Sequence, residues 1–184
     1  MKYYRAVKLK DGADCIIRSA SEEDAEELLE VFNRTHEETD FLLSLPGENG
    51  FTREQEAEYL DQREKGEREA ELLAFVDGKL VGSAGFYPVS TREKARHRAD
   101  LGISILRAYW RRGIGNSLLE SCIECAKAAG FEQIELEAVS ENRGALSLYR
   151  KLGFIEYGRN PKGFHSSKSG WQELVLMRLE LKEA

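Results

Sequence analysis

Polar and apolar residues alternate over residues 3–9, break at Lys10-Asp11-Gly12, and alternate again over 14–18. This is the pattern of two strands joined by a hairpin turn. Ser21 then opens a helix, with Asp24 three residues on in near capping-box order. Ala25, Leu28, Leu29 and Phe32 share one face of that helix until about residue 35. Thr52 caps a second helix to about residue 65, with Gln55 at the box position. Between the two helices, 36–51 reads as irregular and holds Pro46, Gly47 and Gly50. Residues 71–76 and 79–87 read as a hairpin about Asp77-Gly78, and 96–106 as a further strand. A long helix is expected over 113–129, ended by Gly130. In 133–139, Ile134, Leu136 and Ala138 alternate with Gln133, Glu135 and Glu137, which predicts a strand. A helix over 142–152 stops at Gly153, and strands follow at 154–159 and 171–181, separated by a loop with Gly, Ser and Lys. No repeat and no domain boundary interrupts the series. Helices set between strands predict a mixed, layered α/β sheet in one domain over 1–184, with 1–12 an extra N-terminal strand.

Composition narrows the classes. The chain has 184 residues, and 27 Lys and Arg against 33 Asp and Glu leave a net charge of −6. A domain of this size buries roughly 70% of its unfolded surface and needs no metal or disulfide staple. The acidic balance argues against nucleic acid as a partner, because that binding relies on neutralising phosphates with Lys and Arg. No stretch approaches the ~18 apolar residues of a membrane span. The N-terminus lacks the apolar core of a signal peptide. Three cysteines cannot form a closed disulfide set, so a reduced, cytoplasmic setting is expected. Cys122 and Cys125 fall on the apolar face of the long helix and read as small core residues. With no second ligand pair and His36, His97 and His165 scattered, no metal is expected.

The chemistry concentrates in 101–119: a strand, a basic turn with Arg107, Arg111 and Arg112, the pair Gly113-x-Gly115, and a helix. Helix N-termini present unpaired N–H groups and favour anions, and glycines let a ligand approach the backbone. The segment therefore reads as a pyrophosphate cradle, although a tight strand-to-helix turn would also need such glycines. No Gly-Lys-Ser/Thr follows, which excludes a P-loop, and Asn116-Ser117-Leu118 lacks the third glycine of a dinucleotide fingerprint.

This segment resembles the GNAT superfamily of acetyl-CoA-dependent N-acetyltransferases. The family signature, Arg/Gln-x-x-Gly-x-Gly/Ala after a central strand, reads here Trp110-Arg111-Arg112-Gly113-Ile114-Gly115, with Trp at the first position. A second stretch is similar to the family's strand, Asn-x-x-Ala-x-x-x-Tyr helix and Leu-Gly-Phe ending: Glu137, then Asn142, Ala145, Tyr149 and Leu152-Gly153-Phe154. The two stand in the family's order, and the resemblance spans about residues 14–181.

The resemblance implies an α/β (α+β) fold with a mixed, mostly antiparallel central sheet, flanking helices and a splayed parallel strand pair. It implies acetyl-CoA as cosubstrate, without a metal. Ile103, Ser104 and Ile105 would lie along the pantetheine and acetyl carbonyl, although the two isoleucines would be core in any fold. Arg111, Arg112, Gly113, Ile114, Gly115 and Asn116 would meet the pyrophosphate. Asn142 would touch the cofactor, and is also a favoured helix N-cap for local reasons. Tyr149 would protonate the leaving thiolate, though a half-buried aromatic on an amphipathic helix has the same pattern. Glu137 would take the amine's proton, with Glu135 and Asp100 as alternatives and water chains as another route.

The function expected is transfer of acetyl to a primary amine by direct attack. The acceptor is a small molecule, a peptide or a protein, and a homodimer stays open. Segments 36–51, 90–98 and 160–170 are the expected acceptor loops, with Glu37, Glu38 and Asp40 able to attract a cation or simply to be solvated. A non-catalytic acyl-CoA sensor would keep Gly113 and Gly115 without needing Tyr149. A nucleotide-binding protein is disfavoured by the two failed motifs.

Overall fold

In the computed structural model, which describes residues 1–181, the two expected hairpin turns differ in kind. Asp77 and Gly78 both take positive φ, 51° and 75°. They form the two-residue turn whose twist matches its strands, β3 (Ala70–Val76) and β4 (Lys79–Pro88). Between β1 (Tyr4–Lys8) and β2 (Asp14–Ser19) only Gly12 is left-handed, and a Leu9 N–H to Ala13 carbonyl bond of 2.9 Å closes a wider loop.

Helix α1 (Ala25–Glu38) follows a short 3-10 turn over Glu22–Asp24, and α2 (Arg53–Lys65) starts at Thr52 with the reciprocal Thr52–Gln55 capping box. Strand β5 (Arg98–Ile105) leads into α3 (Ile114–Ala128) and then β6 (Gln133–Val139). Helix α4 (Arg143–Lys151) leads to β7 (Ile155–Ser166) and β8 (Gly170–Glu180). The eight strands form one sheet in the order β1-β2-β3-β4-β5-β6-β8-β7, antiparallel throughout except for β5 beside β6.

The sheet is covered on both faces. Leu118, Leu119, Cys122 and Ala126 of α3 pack with Ile17, Leu72, Ala74 and Phe86, and Leu146 and Tyr149 of α4 join that core. On the other face, Leu28 and Val31 of α1 and Leu60 of α2 pack with Leu73, Leu80 and Leu106. The period of two along β3 sends Leu72 and Leu73 to opposite cores. No helix among the described residues is long and apolar enough to cross a membrane.

One expectation fails in form. Residues 160–166, expected in a loop, continue β7 as an edge strand of a long hairpin, with register shifts around Gly158 and between Asn160 and Phe164. Pro161 lacks an N–H but is tolerated on an edge, where no outer neighbour needs one.

Where β4 crosses β5 there is no spare room. A Cβ on Gly82 would lie 2.6 Å from the Ser104 carbonyl oxygen and 2.9 Å from the Ile105 Cα. A Cβ on Gly102 would meet nothing within 4 Å. Gly82→Ala is therefore expected to lower stability by about 1–3 kcal/mol. Gly102→Ala should stay within about 0.5 kcal/mol of the parent. Urea unfolding midpoints check both, and an unshifted midpoint for Gly82→Ala would refute the tight crossing.

Candidate active site

The parallel ladder of β5 and β6 holds only Arg98–Gln133, Ala99–Ile134 and Asp100–Glu135. Both strands then run on apart, β5 beside β4 to Ile105 and β6 beside β8 to Val139. The peptide groups alternate in direction. The Arg98 carbonyl accepts from Val89 and the Leu106 N–H donates to Val81, both on the β4 side. The His97 carbonyl accepts from Gln133, on the β6 side. The peptide groups of Leu101, Ile103 and Ile105 therefore face the opening. Ser104 turns its peptide group to β4 instead, so of the three strand residues expected at the cofactor only the isoleucines present backbone to the gap.

At the wide end of the opening, α3 begins without a side-chain cap, at Gly113 with φ 105°. Its first backbone bond runs from the Ser117 N–H to the Gly113 carbonyl. The N–H groups of Ile114, Gly115 and Asn116 are thus the unpaired donors of the first turn. Gly115 also has a packing role. A Cβ there would meet Leu148 Cδ2 at 3.1 Å and Ile105 Cδ1 at 3.4 Å, so its absence lets α3 approach both β5 and α4.

Two residues of the basic turn, Trp110 and Arg112, are tied down. Trp110, at the position where the signature has Arg or Gln, donates its indole N–H to the Ile105 carbonyl at 2.7 Å. Arg112 is held by Asp11 through Nε at 2.5 Å and lies over the Tyr109 ring, while its carbonyl accepts from the Lys10 N–H. That bond keeps the Asp11 carboxyl below its usual value. Arg111 takes φ 62°, is exposed, and has no side-chain partner among the described residues. Lys151, at the end of α4, reaches Asn116 Oδ1 at 3.3 Å and adds a cation that the sequence pattern did not single out.

Asn142 caps α4, its Oδ1 accepting from the Ala145 N–H. One face of α4 is buried, and Tyr149 lies there against Phe154, ring centroids 5.8 Å apart. Burial pushes the Tyr149 phenol up to about 12, and its hydroxyl has no hydrogen-bond partner among the described residues.

The carboxylates lie on the opposite face of the sheet. Glu135 is gripped by Arg98 through both oxygens, which holds its carboxyl below the usual range. Glu137, two residues on, shares that face and is exposed. Asp100 accepts from the Tyr87 hydroxyl at 2.6 Å. Burial lifts Asp100 above its usual 3.8, the Tyr87 bond partly offsets this, and the Glu135 charge adds to it. Tyr87 in turn is pushed to about 12 by that bond and by burial.

Beside this pair, buried Arg63 of α2 bonds Glu71 Oε2 at 2.9 Å and lies over the rings of Tyr59 and Tyr87. Gly85 makes room, since a Cβ there would strike the Glu71 carboxylate and the Arg63 guanidinium. Gly85 pairs with exposed Gly102, and the open space lies over Gly102, where a Cβ would meet nothing within 4 Å. Composition hid this cluster, because α2 reads as a charged surface helix although Glu56, Leu60 and Arg63 are buried.

Two expectations are revised. Glu38 and Asp40, read with Glu37 as able to attract a cation or simply as solvated, are instead engaged within the fold: Glu38 accepts from the Arg107 N–H, and Asp40 accepts from Ser166 and Ser169. Segment 90–98 lies at the paired end of β5 rather than at the opening. Cys122 and Cys125 are buried thiols pushed up by desolvation. Among the described residues no His, Cys, Asp or Glu group is arranged to hold a metal.

The model of the acetyltransferase (GNAT) family matches residues 25–154. Among solved structures, a GNAT-family acetyltransferase from Streptococcus pneumoniae superposes with TM-score 0.85 at 34% identity, over 90% of this chain and 99% of that one. A putative acetyltransferase from Salmonella typhimurium, solved with its cofactor acetyl-CoA, is alike in fold, with TM-score 0.80 at 21% identity over 91% of this chain and 94% of that one. The N-alpha-acetyltransferase MAK3 of Arabidopsis thaliana is 36% identical over 48% of this chain and 46% of its own length. The L-amino acid N-acetyltransferase AaaT of Escherichia coli (strain K12) is 32% identical over 50% of this chain and 57% of its own. The chain spans about half the length of these curated relatives.

Proposed function

The chain belongs to the acetyltransferase (GNAT) family, and from that premise we propose that it transfers the acetyl group of acetyl-CoA to a primary amine by direct attack in a ternary complex. The observation that carries this reading is the parting of β5 from β6 with unused peptide groups on β5, beside the uncapped N-terminus of α3. Relatives named as an N-alpha-acetyltransferase and as an L-amino acid N-acetyltransferase support an α-amine as acceptor, on a free amino acid or a peptide.

Bound acetyl-CoA would supply an activated acyl carbonyl and a thiol leaving group. The N–H groups of Ile114, Gly115 and Asn116 bind the diphosphate, and Arg111 supplies charge beside them. The peptide group of Ile103 and the N–H of Ile105, whose carbonyl already accepts from Trp110, bind amides along the opening. A fixed N–H on β5 is aimed where charge develops on the acyl oxygen. Tyr149 is protonated at neutral pH, as any phenol is, and burial, which lifts it to about 12, reinforces this, so it serves as the donor to the leaving sulfur. The amine approaches from the other sheet face. There Asp100, a stronger base than an ordinary carboxylate, takes the ammonium proton. Exposed Glu137 draws the cation in and stands as the second candidate for base. Glu135 is unsuited, because Arg98 occupies both its oxygens.

The test is thiol release from acetyl-CoA with a panel of free L-amino acids, spermidine and tetrapeptides with free N-termini. Binding of acetyl-CoA without release for any amine would favour a sensor. Tyr149→Phe should lower turnover by ~10²–10⁴ while acetyl-CoA affinity and melting temperature hold. Wild-type turnover where chemistry limits the rate would remove Tyr149 from the mechanism.

Asp100 predicts the acid limb of the pH profile. Its folded pKa is raised, so the basic form is lost as pH falls, at a higher pH than a free aspartate with its usual 3.8. Rate should fall through that range in the parent, and Asp100→Asn should lose both the rate and this limb. A limb that persists in Asp100→Asn would shift the role to Glu137.

Arg111→Ala should weaken CoA more than dephospho-CoA, by roughly tenfold for a lost charge-assisted contact of ~1.5 kcal/mol. Arg112→Ala, which releases Asp11, should weaken both alike. Calorimetry with the two ligands separates these outcomes.

A further inference from the structure

The end of α1 spans the mouth of the opening. Past the Asp100–Glu135 pair no backbone bond joins β5 to β6, so the sheet continues as two wings. One wing holds β1–β5 and the start of α3. The other holds β6, β8, β7 and α4, with Tyr149 and Glu137. Glu38, the last residue of α1, places Oε2 2.6 Å from the Arg107 N–H, just beyond the end of β5. Two residues later Asp40 engages the other wing at three points. Its Oδ1 accepts from Ser166 at 2.8 Å, its Oδ2 from Ser169 at 2.7 Å, and its carbonyl from Gln172 Nε2 at 2.9 Å.

Gln172 is buried on β8, two residues before Leu174, which pairs with Val139 at the end of β6. By the period of two it shares the sheet face of Glu135 and Glu137. The bonds reach from residue 38 to 107 and from residue 40 to 166, 169 and 172, so they bridge parts far apart in sequence. Arg34 pairs with the other Glu38 oxygen and steadies it from within the helix.

We infer that Glu38 and Asp40 form a strap that sets the separation and register of the two wings, and that Asp40 is a positioning residue for the transfer reaction. This rests on the function proposed above. The diphosphate cradle and the Ile103 and Ile105 peptide groups belong to one wing, whereas Tyr149 and Glu137 belong to the other. Loosening the strap leaves the first set intact and misaligns the second against it. Turnover therefore depends on the strap more than cofactor binding does. Misplacement on the scale of 1 Å can cost up to about a hundredfold in rate.

The experiment compares the full chain with Asp40→Ala, Asp40→Asn and Glu38→Gln. Acetyl-CoA affinity is read by calorimetry, and turnover with the free L-amino acids and free-N-terminus tetrapeptides. Amide hydrogen exchange is read at Arg107 and over 164–174. For Asp40→Ala the expected result is a fall in kcat of roughly ten- to a hundredfold, with acetyl-CoA Kd within about threefold. Exchange should quicken over 164–174 and stay unchanged in the α3 core. Asp40→Asn keeps one carbonyl acceptor and should recover part of kcat. Glu38→Gln should quicken exchange at Arg107. Parent-like kcat and exchange in Asp40→Ala would overturn the strap, as would exchange quickened uniformly across the chain. If the parent transfers no acetyl to any amine, the functional reading fails on its own, and the exchange pattern still decides whether the strap exists.

Discussion

A broken ladder between β5 and β6 is the constraint on which the rest of this molecule turns. Peptide N–H and C=O groups withdrawn from a partner strand cost free energy if buried without another. Central strands of a sheet therefore seldom part. Here β4 and β8 hold the outer sides of the parted pair for their full length, so each strand stays straight while its inner edge stays free. Gly82 lets β4 lie close enough to β5 to do this. Trp110 uses one of the freed acceptors, the Ile105 carbonyl, to draw the basic turn against the end of β5. The start of α3 is thereby fixed relative to the open peptide groups, which is what a ligand with both an anionic end and amide groups requires.

The opening also separates two kinds of charge. A chain of net charge −6 concentrates Arg107, Arg111, Arg112 and Lys151 around the start of α3. On the opposite face it buries or half-buries Glu56, Glu71 and Asp100, all lifted above their usual pKa values by desolvation. Arg63 offsets part of that negative field, and its guanidinium lies over the rings of Tyr59 and Tyr87. The surplus of carboxylate leaves that face attractive to a cation. Anion on one side and ammonium on the other is the polarity that acyl transfer from a phosphate-bearing thioester to an amine needs.

The order of strands and helices was legible because alternation, caps and turn residues agree with one another. The Thr52–Gln55 box, the Asp77-Gly78 turn and the 133–139 strand all appear where the pattern places them. The extension of β7 was hidden, because Pro161 and two irregular registers read as loop although an edge strand tolerates both. At the candidate site, Gly113 could be picked from the strand, Gly-x-Gly and helix pattern, and Asn142 and Tyr149 from the family resemblance. Tyr87, Arg63 and Lys151 could not, because each reaches the site only through tertiary contacts. The helix carrying Arg63 has no apolar stripe to announce that a charged residue on it is buried.

Glu38 and Asp40 show why charge in an irregular segment is a poor guide to what it binds. An acidic residue near an amine site invites an electrostatic reading, yet a carboxylate is also the side chain with the most acceptor positions and no donor. Asp40 uses them on two hydroxyls, and the Ser169 and Ser166 bonds hold its carboxyl below the usual range. A carboxylate stabilised in this way is already satisfied, in contrast to Asp100, which burial lifts above its usual value despite the Tyr87 bond. On the sheet floor it is Gly102 that leaves open space, on the face that carries Tyr87 and Asp100. The segment above the floor contributes shape. Within it Glu38 bonds the turn after β5 and Asp40 bonds the β7–β8 hairpin, across strands β5 and β6 that share no ladder past Asp100 and Glu135.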